Sequence, residues 1–234
     1  MKNIIVISLL SFYTMTTFGQ EMISKEFAIS RTESFDFSNI YYKQTGKKIE
    51  KNEFIKLIQK NPNLPLEKVI GVYGEVTRYL VDLTLSNNAL NPSGGKRVEK
   101  GELFPNFIMN TIENKKIELD KLKGKIVILR FELEADSFRF NKKEIIDLDS
   151  EINQINDKKN KVEAIIIFSS STSEVMQGYD LKNSNFEVVA DAFNFREKYS
   201  ITSFPTTLII DKNGFLLDYY NRSEDIDLKL LISE

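Results

Sequence analysis

Cysteine and histidine are both absent from the 234 residues. Without a thiol there is no thiolate nucleophile and no disulfide; without imidazole there is no Ser-His-Asp hydrolysis, and the usual Cys or His zinc sites are closed as well. An excess of one charge is also missing. The 32 Lys and Arg against 34 Asp and Glu leave a formal charge of -2, which gives no reason to expect nucleic acid or an anionic membrane surface as partner. No apolar run reaches the roughly 20 residues of a spanning helix, so no integral membrane segment is expected. Residues 169–173, SSSTS, form a polar loop after a strand but lack the glycine-rich turn of a phosphate cradle. The nearest basic patch, residues 157–161, DKKNK, has no interleaved aromatic and reads as a solvated loop. No cofactor is expected.

What is present suffices for a core. Hydrophobic residues make up 41% of the chain, with 17 Phe and 9 Tyr, enough for one domain of ordinary size plus something smaller. Lys2, the apolar run from Ile4 to Leu10 and the small residue Gly19 after Thr17 and Phe18 read as a secretory signal over 1–19, cleaved after Gly19. With no cysteine to carry a lipid, a lipoprotein start is excluded. The expected mature chain is exported, periplasmic or secreted. Losing Lys2 takes it from 32 minus 34 to 31 minus 34, near -3. Turn formers at 91–96, NPSGGK, mark a boundary near residue 95. Residues 20–95 then form a small α+β region. Phe54, Ile55, Leu57 and Ile58 fall on one side of a short helix over 51–60, and Val69 to Leu85 suggests strands or a hairpin with Gly71 and Gly74 at bends.

Residues 96–234 alternate β and α. Ile126 to Leu129 and Ala164 to Phe168 lack polar alternation, as central parallel strands covered on both faces do. Between them Phe138, Ile145, Leu148, Ile152 and Ile155 form one helix face. A further helix is expected over 193–199. The turn at 211–214, DKNG, joins two strands of a hairpin.

Three separated motifs carry a resemblance. Phe104, Pro105, Asn106 and Phe107 lead to Leu122, Gly124 and Lys125; the strand KGKIVILRF follows; and residues 199–214, YSITSFPTTLIIDKNG, have Pro205 where thioredoxins keep a cis-proline. This region is similar to TlpA-like and AhpC/TSA (redoxin) domains of the thioredoxin-like superfamily. The resemblance implies an α/β, thioredoxin-like fold, a central mixed β-sheet flanked by helices, and a cis peptide between Phe204 and Pro205. It also implies a redox cysteine pair. Counting from Phe131, those cysteines would fall on Asp136 and Arg139, so no catalytic residue is expected there. A carboxylate at Asp136 could cap a helix but could not attack a disulfide.

Two functions of different class remain. In one, the groove bounded by Asp136, Phe138, Phe204 and Pro205 binds an extended segment of an envelope protein without catalysis. In the other, an enzyme of unknown type uses the carboxylates of Glu132, Glu134 and Asp136. There Glu132 and Glu134 would share a strand face, and Arg139 would neutralise part of the cluster. The oligomeric state is left open.

Overall fold

The computed structural model describes residues 36–84, 95–135, 140–180 and 183–233. The expected signal at 1–19 and the turn formers at 91–94 lie outside them. From Phe37 on, the chain forms one compact unit. Its first part is a three-stranded sheet of β1 (Ile40–Tyr42), β2 (Leu66–Ile70) and β3 (Val76–Val81), with α1 (Lys51–Lys60) between β1 and β2. β2 and β3 are antiparallel neighbours, and β1 runs parallel to β3 on its other side. The expected hairpin is therefore present, turning at Gly71 and Gly74. The helix stripe is narrower than the sequence suggested. Phe54 is buried and Leu57 half-buried, but Ile55 and Ile58 are exposed, because so small a sheet covers only part of the helix.

The second part begins with a short hairpin, β4 (Ile108–Asn110) and β5 (Lys116–Glu118). It continues through β6 (Ile126–Glu132), α2 (Lys142–Asn153), the single turn α3 (Lys158–Lys161), β7 (Val162–Phe168) and α4 (Thr172–Gly178). β8 (Phe186–Val189), α5 (Phe193–Lys198), β9 (Thr206–Ile210), β10 (Leu216–Tyr220) and α6 (Leu228–Ser233) complete it. Five strands form one mixed sheet in the order β10-β9-β6-β7-β8. β6, β7 and β8 are parallel, while β9 is antiparallel to β6 and β10 to β9. This is the thioredoxin-like arrangement, and the two apolar runs read as central parallel strands are β6 and β7.

Period-two alternation divides the core between the two faces of the sheet. Val127, Leu129 and Phe131 of β6 point to the face covered by Phe195 and Tyr199, together with Phe104 and Phe107. Ile126 and Ile128 point to the other, against Ile145, Leu148 and Ile152 of α2, Val175 of α4 and Leu228 of α6. Each fully buried aliphatic or aromatic side chain contributes about 1.5–3 kcal/mol, so both layers are needed. The two polar segments differ from expectation. Ser171 caps α4 in a reciprocal capping box with Glu174, and residues 158–161 close one helical turn rather than a loop. Asp211 organises the β9–β10 turn, its Oδ1 accepting from the Asn213 and Phe215 amides at 2.9 and 2.8 Å.

Candidate functional site

The register of the sheet decides which loops meet. Phe131 at the end of β6 pairs with Thr206 at the start of β9, so the segment after β6 and the segment 201–205 leave the sheet at the same end. The peptide between Phe204 and Pro205 is cis, as the resemblance implied. Phe204 and Pro205 are half-buried, and the Phe204 ring packs against the core face that contains Tyr199 and Leu208. Thr206 Oγ1 donates to the Ser203 carbonyl at 2.8 Å and closes the loop on itself. Among the described residues, none hydrogen-bonds the peptide group of Phe204.

The segment after β6 is only partly described. Asp136, Phe138 and Arg139 lie outside the described residues. Glu132 and Glu134 lie within them and do not form the expected shared face. β6 ends at Glu132, which is buried, whereas Glu134 beyond it is exposed. The partner of Glu132 is Arg130, two residues back on the same strand face, with Nε 2.7 Å from Glu132 Oε1. Arg130 is fully buried. Its Nη2 donates to Glu144 Oε2 of α2 at 3.0 Å and its Nη1 to Thr207 Oγ1 of β9 at 3.3 Å. Burial pushes the Glu132 carboxyl above its ordinary range, with Arg130 pulling the other way. Glu132 is thus an ion-pair member under the site rather than a free acid or base. The signal for Arg130 was present in the sequence: a lone cation inside an apolar strand, with a carboxylate two residues on.

Beside the Phe204 loop the structure places side chains that sequence reasoning missed. Arg196 of α5 lies over two rings, 4.4 Å from the centre of Phe193 and 5.5 Å from that of Phe204. Arg97 lies 4.2 Å over the ring of Tyr219. A polar recess of about 220 Å³ opens there, lined by Arg97, Thr202, Ser203, Thr206, Tyr219 and Asn221 among others. Tyr199, packed beneath the loop, is a core residue whose hydroxyl burial pushes far above the usual tyrosine range. Among the described residues no cluster of three or more acidic, Cys or His side chains is arranged to hold a metal.

Residues 100–218 match the AhpC/TSA family. The thiol-disulfide oxidoreductase ResA of Bacillus cereus is 32% identical over 130 residues, 53% of this chain and 70% of that protein. The thioredoxin-like protein YneN of Bacillus subtilis is 27% identical over 125 residues, 53% of this chain and 72% of its own length. Among solved structures, the thioredoxin domain of a thiol-disulfide oxidoreductase from Bacteroides vulgatus is 17% identical, with a TM-score of 0.45, covering 57% of this chain and 96% of that one. With the family match spanning half of its length, this chain belongs to the AhpC/TSA family as a thioredoxin-like domain without a cysteine.

Proposed function

We propose that this protein is a non-catalytic binding module, exported to the cell envelope, whose groove beside Phe204 and Pro205 takes up an extended segment of a partner protein without electron transfer. The observation that carries the reading is the Phe204 peptide group, which no described residue engages while its ring is seated on the core. A free backbone donor and acceptor at the mouth of a sheet can add a strand from another chain, and that pairing needs no sulfur. In this proposal Asp136 and Arg139 match, by count from Phe131, the positions of the redox pair that the resemblance implies, and Phe138 is counted with Phe204 and Pro205 among the binding residues. Thiol exchange is closed by composition. A carboxylate enzyme has less support, since Glu132 is held by Arg130 and Glu134 stands apart from it on the surface.

Export is part of the same proposal and rests on the residues of the first segment, Lys2 through Gly19. Among the described residues no helix is long and apolar enough to cross a membrane. The boundary near residue 95 separates the small α+β region from the redoxin domain in the proposed division.

Phe204→Ala tests the groove. The ring is only half-buried, so the truncation should cost about 0.5–3 kcal/mol and leave a folded protein. Binding of fluorescein-labelled extended peptides, read by anisotropy, should weaken about tenfold or more. A folded Phe204→Ala protein that binds the same peptides equally well would place any binding surface elsewhere.

A further inference from the structure

The two arginines at the Phe204 loop are placed differently from the cations that hold carboxylates in this chain. Lys43, Lys68, Lys100, Lys115, Lys125 and Arg130 each contact a carboxylate within ion-pair distance. Arg97 and Arg196 instead rest on aromatic faces, Tyr219 for one and Phe193 with Phe204 for the other, and neither pairs with a carboxylate of a described residue. Stacking holds a guanidinium in place by its plane and leaves the donor edge free for a carboxylate, which it can take in bidentate fashion. The Tyr219 ring under Arg97 is itself anchored, its hydroxyl donating to the Val98 carbonyl at 2.8 Å.

The recess at Arg97 adds an independent observation. Its lining supplies the Thr202 and Ser203 hydroxyls and the Asn221 amide beside the guanidinium, and among the described residues it contains no carboxylate. The volume of about 220 Å³ accommodates an acidic side chain or a chain terminus. Glu99, whose charge acts on Tyr219, is not part of the lining. Both arginines therefore border the same loop from different elements, one ahead of β4 and the other in α5.

We infer that the segment received beside Phe204 and Pro205 is acidic, with one carboxylate seated in the Arg97 recess and a second on Arg196. This rests on the binding-groove reading above and names the chemistry of its partner. The test uses the mature chain and three fluorescein-labelled extended peptides with one apolar frame, carrying Glu, Gln or Lys at the positions flanking the apolar residue. The Glu peptide should bind about tenfold or more tighter than the Gln peptide, a preference that shrinks as salt is raised. Arg97→Gln and Arg196→Gln should each lower Glu-peptide affinity by a larger factor than Gln-peptide affinity, so that the preference shrinks, in variants that a thermal scan shows to be folded. Equal binding of the Glu and Gln peptides, or a preference indifferent to both substitutions, would overturn the acidic assignment. In that event, weakened binding by Phe204→Ala keeps the groove itself standing. If none of the three peptides binds, the groove reading and the acidic assignment fail together.

Discussion

Arg130 shows how a charge comes to stand inside an apolar strand. Its guanidinium has three side-chain partners, Glu132, Glu144 and Thr207, so desolvation is offset by charge-assisted hydrogen bonds rather than avoided. Removing the cation should therefore be worse than removing the whole pair. Arg130→Ala is expected to cost about 3–5 kcal/mol in urea unfolding, because Glu132 is left buried without its partner. Combining Arg130→Met with Glu132→Gln should recover much of that loss. A pH dependence follows from the same site. Burial raises Glu132 above its ordinary value of 4.5, so between that value and its folded one the native state binds more protons than the unfolded chain. Its contribution to stability is complete below the ordinary value and is lost as pH rises through the folded one. Between about pH 4 and pH 8 the gap in unfolding midpoint between wild type and Glu132→Gln should move toward the variant; movement toward wild type would mean that Arg130's attraction outweighs burial. The pairing of Arg130 with Glu132 was legible in the strand, two residues apart on one face. Glu144 was not, since it arrives from another element.

At the scale of elements, the β2–β3 turn is held against α5. Asn194 Nδ2 donates to the Gly74 carbonyl at 2.9 Å, Lys198 Nζ to the Gly71 carbonyl at 2.9 Å, and Lys68 lies 3.2 Å from Glu197. Gly74 has φ +79°, and a Cβ there would stand 2.8 Å from Phe195 Cε2. Gly46 has φ +65° with nothing within 4 Å of the same added atom. Gly46→Ala should thus show the backbone strain alone, about 1–2 kcal/mol. Gly74→Ala should cost more than that in a thermal scan, because the turn must also back away from α5. Equal losses at the two glycines would mean that the turn yields freely. The bends at Gly71 and Gly74 were readable as turn chemistry, whereas the exposure of Ile55 and Ile58 was not, because the width of the covering sheet is a property of the assembled strands. The polar run 169–173 likewise looked like a loop until Glu174 reached back to Ser171.

For the whole molecule, the first expectation concerns where it resides. The positive start, apolar run and small residue before Gln20 predict that protein recovered from the cell envelope has an intact mass beginning at Gln20. Recovery from the cytosol with Met1 still in place would remove the export part of the proposed function. The small sheet and the redoxin domain share one compact unit, and the β2–β3 turn meets the redoxin domain at β4, where the Ile108 amide donates to the Val72 carbonyl at 2.8 Å, and at α5, the helix that carries Arg196. Whatever displaces the β2–β3 turn therefore bears on one wall of the groove.

Sequence alone settled that this protein has no thiol chemistry and which strands lie side by side in the middle of its sheet. A chain without cysteine has no thiol chemistry in any conformation, and strands apolar on both faces belong in the middle of a parallel sheet wherever the helices land. The charges were decided only by the tertiary structure. Arg130 meets Glu144 across 14 residues and Thr207 across 77, while Arg97 and Arg196 settle on aromatic rings beside Phe204. Periodicity records which face of its own element a side chain occupies, but a charge is paired or left free by distances between elements, and those exist only once the sheet has assembled.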